Sequence, residues 1–289
     1  MPTNAPETMG VIYRLQLSQL HPHPQNPFSI RDDQAMLDLI QSVQSHGVLV
    51  PAIARPRPDG EYEIISGHRR KHASELAGLD FMPVVVLDLN DDEAIIQLVD
   101  SNIQRENILP SERAKAYKMR MEAMKRQGAR TDLTSPNNSA KFRSDDELGQ
   151  EVGVSGDTIR NYASLTNLVP ELMQMGDEGR IKLSPAYQIA ALPHNEQSLL
   201  LDTIESEQAT PSLSQAQRMK RLSQNGELNE DVLLEIMMEQ KKPVRNDITL
   251  SGEKLRKYFP KSYSPIQMEN VIFKLLEAWQ RKRQRDQSR

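Results

Sequence analysis

The sequence predicts an α+β front third followed by a long, mainly helical body, and three observations carry that reading. Up to about residue 90, short alternating or apolar runs recur between turn residues: VIYRLQLSQL at 11–20, VLVPAIAR at 48–55, YEII at 62–65 and MPVVVLDL at 82–89. Beyond Asn102 the apolar residues instead recur every three or four positions, with SNIQREN leading into the amphipathic stretch ILPSERAKAYKMRMEAMKRQG. Third, the 289 residues are 37% hydrophobic, only 4% aromatic and 26% charged, a lean composition that suits several small cores better than one large one.

Taken in order, 11–20 is a predicted strand and HPHPQNPF a proline-punctuated loop. Asp32 or Asp33 caps a helix whose Met36, Leu37, Ile40 and Val43 share one face and which ends at Gly47. The strands at 48–55 and 62–65 are joined through Pro58-Asp59-Gly60. A helix follows Ser66-Gly67, then the strand at 82–89, then a helix begun by Asp91 or Asp92. The helix started by Pro110 and Ser111 is expected to stop at Gly128, and 129–143 reads as an exposed loop. Helices are predicted at 171–176, 181–192 and 196–206; 212–226 and 231–241 read as polar helices or hinges. A short strand is expected at 248–250, and Met268, Val271, Ile272, Leu275, Leu276 and Trp279 form a stripe at helical spacing that points to self-association. The terminal RKRQRDQSR is a basic tail.

Composition excludes some chemistries. There is no cysteine, so no disulfide, thiolate metal site or thiol nucleophile. The expectation is a cytoplasmic protein with no membrane partner, because no apolar run reaches bilayer length and the first ten residues lack a signal pattern. A net charge of −4 means that any nucleic-acid contact must come from a local patch. His21, His23 and His72 lie among prolines or on a surface helix without clustered carboxylates, and read as ordinary loop and surface histidines.

Two stretches carry chemistry. EIISGHRRKHASELA at 63–77 runs from strand through Ser66-Gly67 into a helix bearing His68, Arg69 and Arg70. Glycine permits close backbone approach, the first-turn amides point outward, and guanidinium groups fork onto phosphate oxygens, so the stretch reads as an anion cradle. At 144–165, a capping box (Ser144 to Glu147) precedes the rhythm Leu148-Gly149-x-x-Val152-Gly153-Val154-Ser155-x-x-Thr158-Ile159-x-x-Tyr162. That is a helix-turn-helix pattern, with Leu148, Val152, Val154, Ile159 and Tyr162 inward and Gly156, Asp157, Arg160, Asn161 and Ser164 outward.

In their order, these pieces resemble the ParB/RepB family of partition proteins, over roughly residues 11–192. The resemblance rests on HPHPQNPF, VLVPAIAR, SGHRRKHAS, the strand at Pro83–Val86, SNIQREN with Pro110 after it, and the helix-turn-helix. It implies an α+β ParB-like nucleotide-binding domain at 1–108, a helical DNA-binding domain at 109–208, a helical linker at 209–242 and a dimerising segment at 243–289. The family's phosphate motifs fall on Ser66, Gly67, His68, Arg69 and Arg70 and on Asn102 and Arg105, with base and ribose near Val50, Pro51, Ala52 and Ile53. The implied ligands are CTP and Mg²⁺, with Asn102 as a metal ligand.

The resemblance further implies a nucleoid-associated homodimer that closes as a clamp on double-stranded DNA carrying an inverted repeat, moved by a ParA-like Walker-type ATPase. Lys141, Arg143 and helix amides would contact phosphates, Ser155 would cap the reading helix, and Arg160, Asn161 and Thr158 would read base edges. His68 and Ser101 stand where the family commonly has acidic residues, so the resemblance reaches CTP binding better than CTP hydrolysis. The alternative is a ParB-like transcriptional regulator or nucleoid organiser. A sulfiredoxin-like enzyme, whose turn resembles Gly67-His68-Arg69, would need a cysteine that this chain does not have.

Overall fold

Five short strands form one mixed sheet in the computed structural model of the chain: β1 (Ile12–Gln16), β2 (Leu20–Pro22), β3 (Ala52–Pro56), β4 (Tyr62–Ser66) and β5 (Phe81–Val86). The structure describes residues 11–105, 108–132, 144–239, 255–260 and 262–287. Strand order is β1-β5-β3-β4-β2, with β1/β5 and β3/β4 antiparallel and β5/β3 and β4/β2 parallel. Helices α1 (Gln34–His46) and α2 (His68–Leu76) pack on each other around Met36, Val43 and Ala73. Asp33 caps α1 by accepting from the Met36 amide at 2.9 Å.

Successive residues of a strand face opposite sides, and β4 uses this to join two cores. Ile64 packs with Leu17, Leu20, Ala52, Ala54, Met82 and Val84. Its neighbour Ile65 faces the other way, into a cluster with Phe28, Leu98, Val99, Tyr117, Leu148 and Ile159. That second cluster is shared by β4, α3 (Asp91–Asp100), α4 (Pro110–Asp132), α5 (Ser144–Val152) and α6 (Gly156–Ser164). The sheet and the α5–α6 pair therefore share one hydrophobic core.

Several sequence expectations are corrected here. The strand at 11–20 breaks into β1, a 3₁₀ turn at Leu17–Gln19 and β2. The strand expected from Val48 begins only at Ala52, leaving Leu49 and Val50 75% and 63% exposed. Helix α4 continues through Gly128 to Asp132, since one helical glycine costs only about 1 kcal/mol. Val154 is exposed and not packed beneath the turn. Gly156 is buried and not outward: a Cβ there would lie 2.0 Å from Asp146 Oδ1. The strand at 248–250 lies outside the described residues, as does the side chain of the expected cap Ser144.

Helices α7 (Pro170–Asp177), α8 (Leu183–Ile189), α9 (His194–Glu207), α10 (Leu213–Gln224) and α11 (Glu230–Met238) enclose a third core. The segment expected as a linker is part of it. Ala216 and Met219 of α10 and Leu233 and Ile236 of α11 are fully buried with Leu172, Leu200 and Ile204. Residues 240–289 form a separate unit, in which α12 (Pro265–Gln287) exposes Leu275, Leu276 and Trp279 of the expected stripe. Among the described residues no helix is long and apolar enough to cross a membrane.

Truncating Ile159 to alanine removes a fully buried side chain and should cost about 2–5 kcal/mol. Because the core is shared, hydrogen exchange should show lost protection in β4 as well as in α6; loss confined to α5 and α6 would contradict a common core.

Candidate functional site

The strand-to-helix turn at Gly67 sets the site. Gly67 adopts φ +104°, a left-handed conformation, and a Cβ there would sit 2.8 Å from Ala52 Cβ. Strand β3 thus comes against the turn, and α2 starts immediately with His68, Arg69 and Arg70. The outward amides of that first turn and the dipole behind them favour an anion.

A cavity of about 300 Å³ lies beside this helix start, lined by Phe28, Ser29, Arg31, Asp33, Ala35, Arg69, Arg105, Ile108 and Glu112. Arg69 and Arg105 were expected in such a site and are brought together in it. Burial, then the nearby Arg69 charge, holds Arg105 below its ordinary pKa, with Glu112 offsetting part of the effect. The Arg105 guanidinium also sits over the Phe28 ring, 5.9 Å from its centroid. Confined cations whose mutual repulsion is only partly neutralised attract a multiply charged anion.

Val50–Ile53, Ser66, Gly67, His68, Arg70 and Asn102, all expected at the site, lie outside the cavity lining. Arg70 does not line the cavity; it donates through Nη1 to the carbonyl oxygens of Val50 at 2.6 Å and Pro51 at 2.5 Å. It thereby fixes Val50 and Pro51 just before β3; of the four residues expected near a base, Ala52 and Ile53 are instead the first two of β3, and Ala52 is fully buried. Asn102 is buried and donates through Nδ2 to the Leu98 carbonyl at 2.7 Å, while the Arg105 amide donates to the Asn102 carbonyl at 3.1 Å. Asn102 shapes the turn that delivers Arg105. Ser66 is buried at the end of β4.

His68 is 6% exposed, and its Nε2 has no hydrogen-bond partner. Burial, then the positive charges of Arg105, His23 and Lys71, lowers its pKa from 6.5 to about 4. His23 is lowered as well, by burial first, against the opposing charge of Glu63 at 4.0 Å. Glu63 in turn accepts from Arg55 Nε at 2.6 Å, and Arg55 reaches Asp91 at 2.8 Å.

The donor set suits an anion better than a hard cation. Asp33 Oδ1 accepts from the Met36 amide and from Arg69 Nη2 at 3.2 Å. Glu112 accepts from the Ser29 amide and hydroxyl and from the Leu109 amide. Both cavity carboxylates are engaged, and no group of three or more acidic or histidine side chains is placed to hold a metal among the described residues. Asn102, the one expected Mg²⁺ ligand, donates through its Nδ2 and keeps its amide oxygen to offer.

The residues missed from sequence are Phe28, Ser29, Arg31, Asp33 and Glu112 as cavity lining. Arg31 and Glu112 are separated by some eighty positions along the chain, and only the fold brings them to 3.6 Å. Their signal was limited to Arg31 lying two residues before the α1 cap and Glu112 lying in the first turn of α4.

The second expected site lies on α5 and α6. Gly153 turns the chain at φ +75°, and a Cβ on Gly149 would stand 2.6 Å from the Val154 carbonyl oxygen, so α5 packs tightly against the turn. Ser155 caps α6 by accepting from the Thr158 amide at 3.2 Å. Arg160 and Asn161 are exposed, and Arg160 forms ion pairs with Asp145 and Asp157. Lys141 and Arg143 lie outside the described residues.

Fold and site together define an anion-binding α+β domain built onto a helical module. The ParB N-terminal domain family model matches residues 2–103, and the chain is similar to chromosome-partitioning proteins of the ParB and Spo0J type. It is 31% identical over 187 residues to the chromosome-partitioning protein Spo0J of Thermus thermophilus, covering 65% of this chain and 62% of that protein. It is 29% identical over 252 residues to the stage 0 sporulation protein J of Bacillus subtilis, covering 86% and 79% of the two. A C-terminally truncated Caulobacter crescentus ParB, complexed to the centromeric parS site, is 24% identical with a TM-score of 0.45, covering 74% of this chain and 99% of that one. The chain thus spans less than two thirds of the Thermus relative.

The depressed histidines set the pH dependence of the fold. An unfolded histidine takes a proton near pH 6.5, whereas folded His68 resists until about 4, so the unfolded state binds more protons between these values. Stability should be full above pH 6.5 and fall on acidification, with ~3 kcal/mol from His68 lost by pH 4. Urea melts of wild type and His68→Asn across this window test it: the variant should show a shallower decline, with His23 retaining part of the slope.

Proposed function

We propose that the chain is a DNA-binding partition protein of the ParB type that closes as a homodimeric clamp under the control of CTP. The observation that carries this reading is the pairing of Arg69 and Arg105 across one cavity at the head of α2, in a domain whose core continues through Ile65 and Leu98 to Leu148 and Ile159 beneath α6. A triphosphate in that cavity neutralises the Arg69–Arg105 repulsion, and the Val50–Pro51 lead-in held by Arg70, with Ala52 and Ile53 at the start of β3, supplies the base and ribose surface. The described residues assign no step to Mg²⁺ and none to hydrolysis.

DNA meets the α5–α6 pair, with α6 in the major groove. Arg160 exchanges its pairing with buried Asp145 and exposed Asp157 for a base edge, Asn161 and Thr158 read beside it, and Ser155 caps the helix start. Lys141 and Arg143 would add phosphate contacts from the preceding segment. The exposed α12 stripe joins two copies, and a ParA-like Walker-type ATPase drives the loaded complex in chromosome, plasmid or mobile-element segregation.

An equilibrium panel of the four nucleoside triphosphates, each with and without Mg²⁺ and duplex DNA, tests the first half. CTP should bind in preference to the others, and Arg69→Ala or Arg105→Ala should weaken it by about tenfold or more. Equal binding of all four, or none, would overturn the assignment.

For the second half, the preferred duplex is selected from a random pool and titrated against salt. An inverted repeat should emerge. Arg160→Ala should cost about 1–3 kcal/mol on that site and leave scrambled duplex nearly unaffected.

A further inference from the structure

His68 is the first residue of α2, directly before the cavity-lining Arg69 and within reach of the charge of Arg105, and it is buried with an unpartnered Nε2. A buried polar atom without a partner is costly and rare, and one found next to a ligand cavity points to a partner that arrives with the ligand. The charged and titratable groups that act on the ring come from three elements. They are Arg105 from the turn after α3, His23 from the segment after β2, and Lys71 one turn further along α2. All are basic, and Glu63, the carboxylate 4.0 Å from His23, is already engaged by Arg55.

With the cavity empty, a proton on His68 would add one more positive charge to this group, so burial and repulsion keep the ring neutral. A bound polyphosphate brings several negative charges and reverses the sign of the local potential. The ring then becomes favourable to protonate, and an imidazolium has donors on both nitrogens.

We propose that His68 takes up a proton from solvent as a polyphosphate enters the Arg69–Arg105 cavity, and that its Nε2–H donates to a phosphate oxygen. The inference rests on the triphosphate reading of that cavity and adds a residue role and a pH linkage to it. The imidazolium makes the contact directly, in keeping with cavity carboxylates that are already engaged.

The test is calorimetric titration of CTP, and separately of inorganic tripolyphosphate, into the full chain in EDTA. It is run at pH 7.5 and 6.0 in two buffers of different ionisation enthalpy, for wild type and His68→Asn. Wild type should take up more protons per ligand than the variant. Its affinity change between the two pH values should favour the lower pH by about fivefold more than the variant's; the shared comparison cancels protonation of the ligand itself. A second measurement needs no variant: the ¹⁵N shifts of the His68 ring should move from neutral to imidazolium values on adding CTP at pH 6.5.

Binding with equal proton uptake in both proteins and an unchanged ring spectrum would overturn the role of His68 while leaving the cavity assignment intact. Failure of wild type to bind either ligand would remove the cavity assignment and the inference together.

Discussion

The geometry of the candidate site depends on one backbone constraint, the left-handed conformation of Gly67 between β4 and α2. Two independent demands meet there. A φ of +104° strains any L side chain, and a Cβ would overlap Ala52 Cβ at 2.8 Å and press on Arg70 Nη2 at 3.2 Å. The second demand explains the first. Strand β3 and the guanidinium of Arg70 must approach the turn closely if Arg70 is to reach the Val50 and Pro51 carbonyls. Without that approach the lead-in to β3 would lose its anchor, and the start of α2 would no longer sit beside Arg105.

The electrostatics of the cavity follow from what is engaged and what is left over. Arg31, Arg69 and Arg105 meet Asp33 and Glu112, and both acids also accept backbone amides that begin helices. Their charge is thus partly spent on helix starts, and the arginines are left under-neutralised. This is consistent with the lowered pKa of Arg105 and with that of His68 beside it. A net charge of −4 for the whole chain gives no hint of such a local excess.

How much of this was legible depended on whether the cause was local. The Ser66-Gly67 turn, the two arginines and the Gly153 bend could be read because glycine conformation and helix-start chemistry act within a few residues. The joint cavity position of Arg69 and Arg105 followed from family resemblance, not from spacing. Arg31 and Glu112 could not be found, because their meeting is tertiary. The membership of α10 and α11 in the core was missed for a different reason. The apolar positions of α10 are sparse, and it buries a polar residue, Gln215, whose Nε2 is satisfied by the Ile236 carbonyl of α11 at 2.6 Å. A polar helix and a buried one look alike in sequence when the burial depends on a partner across the core.

The same distinction explains how the cavity connects to α5. Arg120 of α4 is 5% exposed, and its guanidinium donates to Asp100 at 2.6 and 3.2 Å and also to Glu151 of α5. Asp100 is the last residue of α3, directly before the Ser101–Arg105 turn, where Ser101 Oγ and Asn102 Nδ2 both donate to the Leu98 carbonyl. A buried arginine with two carboxylates adds little net stability, but removing one partner leaves a charge uncompensated. The arrangement therefore resists small displacements between α3 and α5 and penalises partial ones. A shift of the turn that repositions Arg105 must either carry Asp100, Arg120 and Glu151 with it or break a buried ion pair. The hydrophobic cluster of Leu98, Leu148 and Ile159 follows the same path, so packing and charge link the cavity to the α5–α6 pair in the same direction.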